Sequence, residues 1–207
     1  MIQSLSSALL SWFGWRVEME EVLDDKILII GAPHTSNWDF PLTLLALSAL
    51  GLRFSWIGKH TIFKGPLGSF FRSIGGIPVN RKVRSSFIDA MVSAFSQREQ
   101  LVLAIAPEGT RAKKNHWKAG FYHIAVKAQV KICFGFIDYP TKTIGLGPTF
   151  IPSKNIVSDF EVIRKFYSNK SGKHPEKESA VQLRQKEIEL FQREYGKVSS
   201  TQSVDFK

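Results

Sequence analysis

Cysteine is almost absent from this chain: Cys133 stands alone among 207 residues. No internal disulfide can form, which fits a reducing compartment and excludes the cross-linked scaffolds of small secreted proteins. Long hydrophobic runs are missing too. The longest apolar segment, Phe40 to Gly51, falls short of the roughly 20 residues needed to cross a bilayer, so no transmembrane span is expected. The N-terminus has neither the basic start nor the small-residue cleavage site of a signal peptide. There is no Gly-x-Ser-x-Gly elbow, which argues against a serine hydrolase of that design. The five histidines are scattered, and His116 and His123 fit a helix face better than a ligand pair. No metal site is expected. Acidic residues are also scarce, 18 against 28 lysines and arginines, leaving a net charge of +10 and a pI near 9.8.

What is present starts with that charge. It favours an anionic partner: nucleic acid, an anionic bilayer, an acidic carrier protein or a phosphorylated small molecule. Beside an acidic leaflet each lysine or arginine contributes about 1 kcal/mol. The hydrophobic share of 43% supports a buried core, and the length suits one domain. Cys133 lies in the apolar run Ile132 to Ile137, which reads as a buried strand. A thiol in such surroundings keeps a high pKa and makes a poor nucleophile.

Short β-branched runs alternate with helical periodicity from residue 27 to about 137. Strands are expected at Ile27–Ile30, Phe54–Ile57, Ile77–Val79, Leu101–Ile105, Lys131–Ile137 and Thr143–Leu146. Helices are expected at Ser36–Leu50, Gly65–Ile74, Arg84–Arg98, Trp117–Gln129, Asp159–Tyr167 and Glu176–Tyr195. The pattern predicts a single α/β domain: a mixed, largely parallel sheet flanked by helices. Ahead of it, Ile2, Leu5, Leu9, Trp12 and Phe13 recur at helical spacing. They predict an amphipathic N-terminal helix that either lies at a membrane interface or packs on the domain. The division expected is 1–24 for this segment, 25–195 for the domain and 196–207 for a frayed polar tail.

Two short blocks carry chemistry. In the first, His34 and Asp39 follow the strand that ends at Gly31. Residues five apart in a helix are separated by about 140° around its axis. The pair can meet only if His34 lies in the loop and Asp39 in the first helical turn. Pro33 stiffens that loop, and Ser36 is the expected N-cap. The carboxylate would then fix one imidazole tautomer and leave the other nitrogen as a base. The spacing also fits a plain helix cap with His34 as a bystander. In the second block, Pro107-Glu108-Gly109-Thr110-Arg111 follows the apolar strand Leu101–Ile105. Ligands of α/β sheets collect beyond the carboxyl ends of strands. Gly109 permits close backbone approach, its neighbouring N–H groups are candidates for an oxyanion, and Arg111 offers a planar fork for phosphate. Glu108 would orient Arg111 or hold an acceptor hydroxyl. An ordinary turn with a surface Glu–Arg pair fits as well. Basic clusters at Arg81, Lys82 and Arg84, and at Lys113, Lys114 and Lys118, flank these loops. Together the blocks suit transfer of an acyl group to a hydroxyl of a phosphate-bearing acceptor.

With Gly75 or Gly76, Ile77 and Arg81 as a middle motif, the three blocks resemble the glycerolipid acyltransferases of the lysophosphatidic acid acyltransferase type. The resemblance covers about residues 25 to 140. The chain differs in carrying Pro78 and Asn80 in the middle motif, Pro33 before the histidine, and no proline within Ile132–Ile137. The resemblance implies His34 and Asp39 as catalytic residues. It implies Arg81, Glu108, Gly109, Thr110 and Arg111 as substrate-binding residues. Acyl-CoA or acyl carrier protein would be the donor and a lysophospholipid hydroxyl the acceptor. The first candidate acceptor is 1-acylglycerol-3-phosphate, giving phosphatidic acid, with another lysolipid or an amino-lipid as the alternative. A thioester is already activated, so neither cofactor nor metal is called for. The setting implied is peripheral, on the cytoplasmic face of an anionic membrane. A basic nucleic-acid-binding module is the rival reading. No recognised motif supports it, and Phe63, Phe70, Phe71 and Phe87 read better as core or acyl channel.

Overall fold

The computed structural model describes residues 2–79 and 84–195, excepting the side chains of 84–86. The expected tail and Arg81 lie outside the described residues. Seven strands form one sheet: β1 (Arg16–Met19), β2 (Lys26–Ala32), β3 (Ser55–Lys59), β4 (Gly76–Val79), β5 (Leu101–Ile105), β6 (Lys131–Asp138) and β7 (Thr143–Phe150). Their order is β1-β7-β6-β2-β5-β3-β4. Every neighbouring pair is parallel except β6 and β7, which form an antiparallel hairpin. The sheet is therefore mixed and largely parallel, as the alternation of elements predicts.

The helices are α1 (Ile2–Trp12), α2 (Asp39–Ala49), α3 (Gly68–Ser73), α4 (Arg84–Ser96), α5 (Gly120–Ala128), α6 (Ile156–Tyr167) and α7 (Gln185–Tyr195). They divide between the two faces of the sheet, and β2 shows how. Its side chains alternate, as strand geometry requires. Leu28, Ile30 and Ala32 join the large core built with Met91 and Phe95 of α4, Phe121 and Ile124 of α5, Phe160 and Ile163 of α6, and Phe191 of α7. Ile27 and Ile29 face the other way, against Leu47 of α2. β2 and β6 are buried through almost their whole length, which is why both read as unbroken apolar runs. Cys133 is fully enclosed in β6, and burial pushes its thiol up to about 12.

Three expectations change. β1 was not expected, because Arg16-Val17-Glu18-Met19 is too short and polar to stand out; β7 recruits it by parallel backbone pairing, with Val17 packed against the cluster that includes Ile144. The helix expected from Trp117 starts at Gly120. The backbone N–H groups of Trp117 and Lys118 are donated to Gln182 and Pro107 carbonyls instead. The helix expected from Glu176 to Tyr195 is a 3₁₀ turn at Pro175–Lys177 followed, after a gap, by α7. Between them the chain pairs with the loop after β5, Ala180 N–H to Lys114 and Trp117 N–H to Gln182, so it cannot close helical bonds on itself.

α7 closes the larger core with Phe191, flanked by Ile188 and Tyr195. Phe191 is fully buried, its ring 5.0 Å from Tyr122 and 4.3 Å from Tyr195. Phe191→Ala is expected to cost about 3–5 kcal/mol, seen as a lower urea midpoint with an unchanged slope. A loss below about 1 kcal/mol would show that α7 is not part of the cooperative core.

Candidate active site

β2 and β5 are hydrogen-bonded neighbours in parallel register, Ile30 opposite Ile105. The loops that follow them therefore emerge side by side. The chain then leaves β2 toward β3 on one flank and β5 toward β6 on the other. Neighbouring loops that diverge in this way open a crevice at the strand ends.

The loop from β2 is organised around Asp39. α2 starts at this residue, with Trp38 in the capping position and no side-chain cap bond. Ser36, the expected cap, instead lies in the loop and receives the Trp38 N–H on its hydroxyl, 3.2 Å. Pro41 falls within the first turn, where no intrahelical N–H is required. The Asp39 carboxylate is 4% exposed and turns back into the loop. Its Oδ2 accepts from the backbone N–H of Thr35 at 2.9 Å and of Ser36 at 2.8 Å, and meets His34 Nδ1 at 3.1 Å. Its Oδ1 accepts from the Tyr139 hydroxyl at 2.8 Å. Burial pushes the carboxyl up, but the bonds from His34, the Ser36 N–H and Tyr139 outweigh it and hold Asp39 below its ordinary value. An ionised carboxylate only accepts, so Nδ1 carries the proton and Nε2 is left as the acceptor. His34 is thus held by the carboxylate, the alternative to a bystander beside a cap.

The loop from β5 supplies Glu108, 2% exposed, whose Oε1 accepts the His34 backbone N–H at 2.6 Å. Burial raises this carboxyl above its ordinary value, while hydrogen bonds from Ser179 and His34 work in the opposite direction. The sequence groups Glu108 with the substrate-binding residues; its side chain instead points inward and ties one loop to the other. Gly109 adopts φ +67°, and a side chain there would run into Lys118. Its own N–H is donated to the Ala106 carbonyl at 3.1 Å and is already engaged. Thr110 Oγ1 accepts the Ala112 N–H at 3.3 Å.

His34, Asp39, Gly109, Thr110 and Arg111 line one cavity of about 980 Å³. Lys118, of the second basic cluster, lines it too, as does Lys59, which the sequence did not single out. Its apolar wall includes Ala46 and Leu47 of α2 and Leu50 at that helix's C-cap, together with Phe54 and Trp56. Ala46, Leu47 and Leu50 stand at helical spacing on one face. Phe71 and Phe87 line the cavity, whereas Phe63 is buried and Phe70 is exposed. The segment after α6 braces the histidine loop from behind: the His174 N–H is donated to Thr35 Oγ1 at 3.2 Å. A side chain at Gly172 would collide with Thr35.

A family model described as Acyltransferase matches residues 15–140, more than half of the chain. The protein belongs to the acyltransferase family. Among solved structures it is similar to the 1-acyl-sn-glycerophosphate (LPA) acyltransferase PlsC from Thermotoga maritima, with a TM-score of 0.51 and 18% identity. That match covers 98% of this chain and 80% of the PlsC chain. At that identity the likeness is one of fold. No curated protein matches the chain.

Glu108 generates a test with a definite sign. Its folded-state pKa lies above the ordinary 4.5. Its contribution to stability is therefore fully present below that value and is lost as pH rises through the raised one. Glu108→Gln keeps an acceptor for the His34 N–H but removes the buried charge. Its melting temperature is expected to equal or exceed wild type at pH 7, the difference shrinking as the pH falls toward 4.5. A variant markedly less stable than wild type at pH 7 and equal to it in acid would reverse that sign.

Proposed function

We propose that the protein moves a fatty acyl group from a thioester, acyl-CoA or acyl carrier protein, to the hydroxyl of a lysophospholipid. The first candidate acceptor is 1-acylglycerol-3-phosphate, which would yield phosphatidic acid. The observation that carries this reading is that His34 and Arg111 line one cavity that also has an apolar wall. A base, an anion-binding guanidinium and space for a hydrocarbon chain are what such a transfer requires.

In this scheme His34 Nε2 takes the acceptor's hydroxyl proton as that oxygen attacks the thioester carbonyl. The carbon–sulfur bond then breaks, and the thiolate leaves with the proton returned by the imidazolium. Asp39 holds the ring and offsets its transient positive charge. Arg111 binds the acceptor phosphate, assisted by Lys59 or Lys118 and, by the family resemblance, Arg81. The stripe of α2 with Phe54 and Trp56 accommodates an acyl chain. Positioning of the two substrates contributes at least as much as proton transfer.

The test is incubation of the purified protein with labelled acyl-CoA and acyl carrier protein against a panel of lysolipids, read by mass spectrometry. Acylated lysolipid is the expected product. His34→Ala is expected to lower turnover about 10²–10⁴-fold without loss of lipid binding, and wild-type turnover in that variant would contradict the base. Arg111→Ala is expected to raise KM for phosphorylated acceptors selectively. An equal defect with unphosphorylated ones would remove the phosphate role.

We also place the protein peripherally on an anionic membrane. Among the described residues no helix is long and apolar enough to cross one. α1 is anchored by Leu10, packed with Trp15 and Ala46, while Leu5 is 71% and Trp12 81% exposed, with Ile2 and Phe13 alongside. Exposed tryptophan and phenylalanine suit an interfacial helix. A Leu5→Glu, Trp12→Glu double variant is expected to bind anionic vesicles at least about tenfold more weakly. Transfer to a soluble short-chain acceptor should be unchanged. Unaltered vesicle binding would assign the contact elsewhere.

A further inference from the structure

The Asp39 carboxylate has a partner that none of the sequence motifs contains. Tyr139 lies immediately after β6, in the turn that leads to β7, one hundred residues from Asp39 in the chain. Its carbonyl accepts the Lys142 N–H at 3.2 Å, closing the turn. Its backbone N–H is donated to the Ser171 carbonyl at 2.9 Å. Its ring meets Trp15 edge-on, with centroids 5.1 Å apart. Its hydroxyl is donated to Asp39 Oδ1 at 2.8 Å, on the oxygen that His34 does not use. Tyr139 does not line the cavity that His34 and Arg111 share. It reaches the acid and not the reacting atoms.

We propose that Tyr139 is a positioning residue for the transfer reaction: its hydroxyl fixes the Asp39 carboxylate and withdraws part of its charge, so setting how strongly Asp39 favours the protonated His34. This rests on the reading of His34 as the base. Three donors converge on Oδ2, from His34, Thr35 and Ser36. Without a donor on Oδ1 the carboxylate could swing about its terminal bond and its full charge would act on the imidazole. Burial and the neighbouring carboxylate both raise the phenol's pKa, so Tyr139 remains a donor across the working pH range.

Other charges face the same histidine loop. Glu108 accepts its backbone N–H from the β5 side. Arg111, Lys118 and Lys59 line the shared cavity. Lys173 lies over the Trp38 ring at 5.6 Å, and His174 is bonded through its backbone to Thr35. Asp138, beside Tyr139, accepts from the Ser171 N–H at 2.9 Å. None of these contacts uses the Tyr139 hydroxyl, so removing that one group tests its effect alone.

The test uses full-length Tyr139→Phe with two readouts: the pH profile of kcat/KM for acyl transfer, and the titration of His34 followed by NMR. Loss of the hydroxyl leaves the carboxylate more negative toward the imidazole. The acid limb and the His34 titration midpoint are both expected to move to higher pH by about half a unit or more. On the plateau kcat is expected to fall about tenfold, with KM for both substrates unchanged. A fluorinated tyrosine at position 139 is a stronger donor of the same shape and is expected to move both readouts to lower pH. This second variant carries the test if the phenylalanine variant folds poorly. Superimposable titrations for all three proteins, with or without a loss of kcat, would overturn the proposal and leave Tyr139 as packing alone. His34→Ala is run in parallel. If it keeps wild-type turnover, the base reading fails; if it is inactive while the Tyr139 variants titrate like wild type, only the Tyr139 role fails.

Discussion

A carboxylate excluded from water at the first residue of α2 organises the candidate site of this protein. Asp39 is surrounded by donors from its own loop and from the turn after the neighbouring strand β6: two backbone amides, one imidazole and one phenol. A buried charge is costly unless it is paired and hydrogen-bonded. Here the pairing is what shapes the loop. Thr35 and Ser36 can donate to one oxygen only if the chain curls over the acid, and that curl brings His34 within 3.1 Å of the same oxygen. The histidine is therefore placed by satisfying the carboxylate, not by helical geometry, which would have pointed the two side chains apart.

The second constraint is the sheet. β2 and β5 are partners in parallel register, so the loop with the histidine and the loop with Arg111 have no choice but to neighbour each other. Glu108 turns that proximity into a bond, its carboxylate receiving the His34 amide proton. The Glu108 side chain faces inward while its sequence neighbours Gly109, Thr110 and Arg111 line the cavity. One short block thus both fastens the histidine loop and presents the cationic wall. The apolar stripe of α2 completes the enclosure from the other flank, so a single helix supplies the acid at its start and a hydrocarbon surface along its length.

How much of this could be read from the chain depends on how local each determinant is. The apolar strands announced themselves because they are buried on both faces, and the histidine and arginine blocks because their residues are contiguous. Arg81 could be named from its motif but lies outside the described residues. The shared cavity was legible only as an expectation, since it depends on β2 and β5 being sheet neighbours although some seventy residues lie between them. Tyr139 left no signal, because its partner is a hundred residues distant and a tyrosine in a turn is unremarkable alone. β1 was invisible for a related reason: four polar-leaning residues become a strand only because β7 offers a free edge. The helices expected at Trp117 and Glu176 were too long for one shared cause, the mutual pairing of residues 114–117 with 180–182. Propensity has no means of registering a bond between loops.

One acceptor molecule is expected to span the cavity from the imidazole to the guanidinium. The most direct measurement is a crystal structure of the protein with a non-reactive lysophosphatidate analogue bound. The account predicts the acceptor hydroxyl within hydrogen-bond reach of His34 Nε2 and its phosphate on Arg111, with the chain against α2. A phosphate seated away from Arg111, with the hydroxyl out of reach of His34, would contradict it.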